Sequence, residues 1–294
     1  MSNDIFWLGI VIIYLILRLL RINLYYELKK LFGREGFNNN TGAIVGEKNV
    51  FMYWVGNTPH LIELLRDLVY KHSNEGQAYK VHLINHGNLN QYVKDYDLPS
   101  CFKELIPAHQ ADFVRVYCVA KYGGIWLDSD TLVMDDMARL FNLLEEYDGF
   151  FVTEWGWICN GIFGSKPQTQ FMNEWLEYAI RLLKDKNCKD IEWIELGGKY
   201  LTKSRDENKL TGYKILEGDK TIYPIGPNES IKEYIDKPYE NHTIIEREFQ
   251  PVVELVSPVY NKINEMVKSK DEIHNLNIPL NYFINKSLGK YCQL

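Results

Sequence analysis

No two of the five cysteines form a CxxC pair: Cys101, Cys118, Cys159, Cys188 and Cys292 lie far apart. That spacing offers neither a zinc site nor the disulfide framework of a small secreted domain, and a reducing compartment is the simpler reading. Excess positive charge is missing too, since 33 basic residues against 39 acidic ones leave a net charge of −6. A phosphate-backbone surface needs the opposite balance, so nucleic acid is not expected as a partner, and any anionic ligand must be held locally. Internal repeats are absent. Nor does the composition mark disorder, because 46% of the 294 residues are hydrophobic and 14% aromatic, enough to bury the core of one large domain.

Long apolar runs are lacking everywhere except at the amino terminus. Ile5 to Leu17 carry no charge, and the apolar character continues through Tyr26 with only Arg18 and Arg21 interrupting. Thirteen uninterrupted residues are short for a span of roughly 20, but arginines near one end can snorkel to the interface. We read residues 1–30 as a membrane anchor, inserted through residues 5–26. A cleaved signal peptide fits less well, because the basic residues follow the apolar run. The same asymmetry predicts a cytosolic carboxy-terminal domain; against it stand the sequons at Asn39, Asn228, Asn241 and Asn285, which matter only in a secretory lumen and arise easily by chance in so asparagine-rich a chain. A glycine- and asparagine-rich stretch at 31–48 reads as a linker.

From 49 to 294 the pattern is that of one α/β domain. "NVFMYWVG" predicts a strand, "TPHLIELLRDLVYKHS" a helix and "YKVHLIN" a second strand, together a βαβ unit of a parallel sheet. "LIPAHQADFVRVYCVAKYGG" carries a helix whose end is marked by Gly123 and Gly124, where positive φ carries no Cβ penalty. Then follow "IWL" as a strand, "MDDMARLFNLLEEY" as a helix, "GFFVTEW" as a strand and "QTQFMNEWLEYAIRLLKD" as an amphipathic helix. Beyond residue 186 the periodicity loosens, leaving a strand at "TIYPI" and a last helix near "PVYNKINEMVK". In such a fold ligands gather at the carboxyl ends of the strands.

Asp128 and Asp130 stand at one such end. Carboxylates two apart can approach a single cation, and hard oxygen ligands suit Mg²⁺ or Mn²⁺. A divalent ion on a diphosphate neutralises the charge that develops when a sugar–diphosphate bond breaks. Taken alone, the pair is equally an exposed acidic turn. Asp112 and Arg115 lie three apart on the apolar helix that runs into the Gly-Gly turn. They are either a ligand-binding pair, Arg115 offering a fork of donors, or an intrahelical ion pair.

The segment "AHQADFVRVYCVAKYGGIWLDSDTLV" resembles the central region of the DxD sugar transferases: glycosyltransferase family 32, the capsular polysaccharide synthesis proteins and the toxin glucosyltransferases. The shared pattern is Asp-x-x-Arg, an apolar run, Gly-Gly, an aromatic residue and Asp-x-Asp. The resemblance covers about residues 49 to 184. It implies a GT-A type fold with a mostly parallel central sheet, a nucleotide-sugar donor (a UDP-sugar before others), Mn²⁺ or Mg²⁺, and retention at the anomeric carbon. The acceptor it implies is a glycan, polysaccharide or lipid-linked saccharide. Carried over by position, Trp54 stacks on the base, and Asp112, Arg115 and Asn160 meet the donor sugar. Asp128 binds ribose and sugar hydroxyls, and Asp130 holds the metal. Trp126, which stands where the family usually has tyrosine, is also assigned to the donor contacts. Catalysis falls to Asp128, Asp130 and Arg115, with metal ligation by Asp130, Asp128 and, from the carboxy-terminal part, His274.

Each assignment has a plainer counterpart. Trp54 is also a strand-core residue, Asn160 a turn residue of an Asn-Gly pair, and His274 a surface histidine. Glu154 faces the acceptor by position alone. Two other functions compete: a membrane-anchored nucleotide-sugar binder without turnover, and a haloacid-dehalogenase-type phosphatase. The phosphatase fits poorly, with Leu132 where Thr or Val belongs and no acidic pair near "GDK" at 218–220.

Overall fold

The computed structural model describes residues 43–73, 78–134, 137–154, 156–222, 230–238 and 249–289. The segment 5–26 read as a membrane anchor lies outside them, and among the described residues no helix is long and apolar enough to cross a membrane. Of the stretch read as a linker, residues 43–48 belong to the domain: Ala43 is buried, and the Gly46 amide donates to the Tyr122 carbonyl over 2.9 Å.

The chain runs β1 (Asn49–Tyr53), α1 (His60–His72), β2 (Lys80–Ile84), α2 (Pro107–Tyr122), β3 (Gly124–Leu127), β4 (Thr131–Val133) and α3 (Ala138–Glu146). It continues with β5 (Gly149–Glu154), β6 (Trp157–Ser165), α4 (Gln170–Asp185), α5 (Gly198–Asp206) and β7 (Tyr213–Glu217). After two short helical turns come β8 (Val252–Glu254), α6 (Ser257–Met266) and α7 (Leu280–Ser287). Six strands form one sheet in the order β2-β1-β3-β6-β5-β7, and β4 pairs with β8 in a separate ribbon. β1 is parallel to β2 and β3, β5 is parallel to β7, and β6 runs antiparallel to both its neighbours. The expected α/β domain with a mostly parallel central sheet is therefore present, with β6 as its reversed strand.

Side-chain alternation decides what covers each face. Phe51, Trp126, Phe151 and Phe163 join Phe113, Val116 and Trp175 in one cluster under α2 and α4. Val50, Met52, Ile125, Phe150 and Val152 join Met137, Leu140 and Phe141 in another, under α3. With both faces covered, β1 and β3 read as continuous apolar runs rather than alternating ones. A third cluster joins α1, α6 and α7 around Leu132 and Val253 of the small ribbon. α2 is buried nearly all round, opens with Pro107 in its first turn and stops at Gly123 with φ +72°. Gly124 has φ +118°, and a side chain there would collide with the Asn49 carbonyl oxygen. Both glycines are thus required to turn α2 directly into β3.

Two readings need correction. Cys101 and Cys188 form a disulfide across 87 positions, a pairing of distant segments that spacing could not disclose; Cys118 and Cys159 stay outside any disulfide. At "TIYPI" the expected strand does not begin, because Thr221 closes a helical turn, Gly218–Thr221; residues 223–225 lie outside the described residues.

Candidate active site

The site follows from how β3 ends. Trp126 points to the α2 face and Leu127 to the other, so Asp128 returns to the α2 side, where Arg115 waits. Arg115 Nη2 donates to Asp128 Oδ1 over 2.9 Å, and Arg115 Nη1 lies 3.2 Å from Asp112 Oδ1. Nη1 also donates to the Asn160 carbonyl over 2.9 Å. Trp126 Nε1 donates to the same Asp128 oxygen over 2.7 Å, while the guanidinium stands 5.3 Å from the Trp126 ring centre. Asn160 Nδ2 donates to Asp112 Oδ1 over 2.8 Å. Burial works to lower the Arg115 pKa, but Asp128 and Asp112 outweigh it and hold the guanidinium protonated.

Asn160 reaches this network through an irregularity. The pairing of β5 with β6 jumps from Phe151↔Phe163 to Val152↔Cys159, so residues 160–162 have no partner on β5, while Ile162 and the Gly161 carbonyl stay bonded along the end of β3. A bulge of this kind re-aims side chains beside functional sites. The Asn-Gly pair therefore marks a strand bulge, not a connecting turn.

Asp130 sits one residue beyond the tip, half-buried on the far side of Ser129, whose hydroxyl donates to the Tyr53 carbonyl. Burial first, and then the charge of Asp128, push the Asp130 carboxyl up to about 8. The third acid is Glu254, at the end of β8, held beside Asp130 because the Leu255 amide donates to the Asp130 carbonyl. One oxygen from each of Asp128, Asp130 and Glu254 lies within 4.8 Å of the other two. The single guanidinium of Arg115 is shared between Asp128 and Asp112, so the cluster of three half-buried carboxylates stays net negative, a charge that a bound cation would offset. Their hard oxygen donors fit Mg²⁺ or Mn²⁺. Gly161 completes the cradle: a Cβ there would strike Glu254 Oε1 and come within 3.0 Å of Asp128 Oδ2.

The acids open into a cavity of about 720 Å³ whose wall includes Trp54, Asp112, Arg115, Asn160 and Tyr260. Trp54 is half-buried, with Nε1 bonded to the Asn57 carbonyl and its ring edge-on to Tyr260 at 5.8 Å. Trp126 is fully buried and not part of the cavity wall, which corrects its assignment to ligand contact; it holds Asp128 from behind. His274 lies on a 3-10 turn packed against α1 and does not join the acids, because the neighbouring Ile273 anchors that turn in the third apolar cluster. Glu254 escaped the sequence reading, since a three-residue strand carries no periodicity; Tyr260 lies on the expected last helix, where nothing in its spacing singled it out. Glu154 does line the cavity, its carboxyl pushed up by burial against an opposing hydrogen bond from Cys159.

Comparison with known proteins places these residues in a lineage. In sequence, the chain is 25% identical over 163 residues to the O-glycosyltransferase braB of Annulohypoxylon truncatum, a stretch covering 47% of this chain and 38% of that protein. The chain thus matches well under half the length of that relative. Among solved structures, a glycosyltransferase involved in glycosylation of the major capsid of PBCV-1 overlaps 74% of this chain and 98% of its own, at 11% identity and a TM-score of 0.43. GlyE of Streptococcus pneumoniae TIGR4 overlaps 83% of this chain and 64% of its own, at 14% identity and the same score, 0.43. Scores this low establish no shared fold, so descent rests on sequence. Residues 23–194, more than half of the chain and including both Asp128 and Asp130, match the family described as capsular polysaccharide synthesis protein; the chain belongs to that family.

Proposed function

We propose that the protein is a metal-dependent glycosyltransferase that moves a sugar from a nucleotide-sugar donor, a UDP-sugar before others, to a saccharide acceptor. One observation carries this reading: three carboxylates converge on a point at the carboxyl end of β3, in a cavity that also presents Trp54. Bound Mn²⁺ or Mg²⁺ supplies Lewis-acid neutralisation of the departing diphosphate. The chain's own residues supply the rest. Asp128, Asp130 and Glu254 hold the ion, while Arg115 and Trp126 keep Asp128 at its working orientation. Asp112 and Asn160, already hydrogen-bonded to each other, offer their remaining lone pairs and N–H to donor hydroxyls. Trp54 presents an aromatic face on which any base stacks. Electrostatic preorganisation of this kind needs no side-chain nucleophile. Retention at the anomeric carbon, and residues 5–26 as a membrane attachment near a lipid-linked acceptor, complete the proposal.

The phosphatase alternative loses ground here. Its nucleophile would be Asp128, one oxygen of which is already engaged by both Arg115 and Trp126. A panel of UDP- and GDP-sugars assayed for nucleotide release with Mn²⁺, Mg²⁺ or EDTA is the direct test. Turnover should require the metal and fall by about 100-fold or more in Asp130→Asn, the scale of losing a principal electrostatic group. Metal-dependent binding of the same sugars with no release in wild type would instead identify a non-catalytic binder, and absence of both would sink the reading.

A further inference from the structure

The sheet order sets the cavity's long axis. Trp54 follows β1 and Glu154 ends β5, and β3 and β6 lie between them. Three strand spacings separate the two ends, about 14 Å. Trp54 and the acids occupy one end and the middle. At the other, Trp157, the first residue of β6, stands opposite Glu154 in the β5–β6 ladder and is 52% exposed, and Trp193, between α4 and α5, is 70% exposed. Both line the cavity. Trp193 is not a loose surface residue, because its ring packs at 6.1 Å on that of buried His109. Exposed indoles gathered at a cavity mouth mark a binding face, whereas scattered exposed apolar residues mark nothing.

We propose that Trp157, Trp193 and Glu154 form a saccharide-acceptor subsite selective for an uncharged or amino sugar, against uronic acids and phosphorylated sugars. The proposal rests on the glycosyltransferase reading for its name as an acceptor site, but its chemistry stands on the residues. A pyranose ring presents a face of C–H bonds carrying partial positive charge, which packs on the electron-rich face of an indole. Its hydroxyls point outward from the ring edge, toward a carboxylate such as Glu154 that accepts their hydrogen bonds. A lipid tail would desolvate that half-buried carboxylate and leave it only the weak Cys159 thiol as donor. The charge balance of the wall decides the selectivity. It carries Asp112, Asp128, Asp130, Glu154 and Glu254 against the single guanidinium of Arg115, which is already paired with two of them. A divalent cation offsets only part of this excess, and an acidic sugar would enter a field of its own sign.

Saturation-transfer NMR on the full chain, with UDP and Mn²⁺ present, tests this with defined probes. These are methyl glucoside, methyl galactoside, methyl glucosaminide and methyl glucuronide. At least one of the first three should bind through its C–H protons, and the glucuronide should not. Trp193→Ala and Trp157→Ala should each weaken that binding by about tenfold, the scale of removing one stacking ring. Both side chains are exposed, so a melting temperature close to wild type shows that the variants are folded. Preference for the glucuronide, no binding by any of the first three, or undiminished binding in both folded variants would overturn the proposal. Its failure is separable from that of the transferase reading, which donor turnover in wild type measures independently of any acceptor.

Discussion

Arg115 joins three elements with one side chain: its own helix through Asp112, the end of β3 through Asp128, and the bulge of β6 through the Asn160 carbonyl. A buried guanidinium in this position is worth less as a pair than its removal costs, because deletion strands two carboxylates in a desolvated place. Arg115→Met should therefore destabilise the fold by about 3–5 kcal/mol, read from denaturant unfolding with an unchanged m-value; a loss under about 1 kcal/mol would mean that water reaches and solvates the stranded acids. Gly161 makes the contrasting case. Its added methyl would meet Glu254 and Asp128 without demanding a forbidden φ, so the strain falls on the carboxylate cluster. Gly161→Ala should weaken Mn²⁺ binding by about tenfold or more, within the range for disturbed metal ligation. Titration calorimetry would show this, and unchanged affinity would remove Glu254 from the ligand set.

At the scale of elements, the legible parts were those with a period. β1, α1, β2, α2, β3, α3, β5 and α4 all follow runs whose spacing fits one structure, and the Gly-Gly turn is forced by its positive φ values. β6, the longest strand, did not show itself, because Gly161 and Gly164 interrupt it and Asn160-Gly161 imitates a turn. The Asp-x-x-Arg and Asp-x-Asp pairs were legible as candidates. The intrahelical Asp112–Arg115 pair, one of the two readings, is present; what the sequence could not convey was that Arg115 would also hold Asp128, or that Trp126 would lie behind Asp128 instead of facing a ligand. Those outcomes depend on which strands become neighbours, as does the fate of His82 on β2. Its ring stacks on Phe51 at 4.9 Å, and Nε2 pairs with Asn49 Oδ1 at 2.9 Å. Burial, with a smaller contribution from Lys80, lowers its pKa from 6.5 to about 4. The unfolded chain then binds a proton between pH 6.5 and 4 that the folded chain refuses, so stability is full above the unfolded value and falls as pH drops through this window. The loss should approach about 3 kcal/mol as an upper figure, from roughly 1.4 kcal/mol per unit. Unfolding curves at pH 7, 5.5 and 4 should lose this step in His82→Gln; an identical slope in both proteins would assign the acid sensitivity elsewhere.

For the whole molecule, the site depends on distant parts of the chain meeting at one cavity. β1 brings Trp54, α2 brings Asp112 and Arg115, β3 the acid pair, and β8 with α6 bring Glu254 and Tyr260 from beyond the 23–194 family match. The Cys101–Cys188 bridge belongs to this scale, because it ties the approach to α2 to the segment immediately before Trp193. Closing a loop of 87 positions restricts the unfolded chain by about 4.6 kcal/mol on the chain-entropy account. The bridge also favours an oxidising compartment, in tension with the cytosolic orientation inferred from the arginines after residue 17. Cys101→Ser should lower the melting temperature by several degrees, since each kcal/mol is worth about 2–4 °C in a domain of this size. The same substitution should raise amide exchange in residues 188–197, where Trp193 is carried, before it does so in the β1–β3 core. Thiol labelling of the unfolded wild type without reductant would settle the state directly: labelling at Cys118, Cys159 and Cys292 alone fits the bridge, and labelling at all five cysteines removes both the stabilisation and the argument for an oxidising compartment.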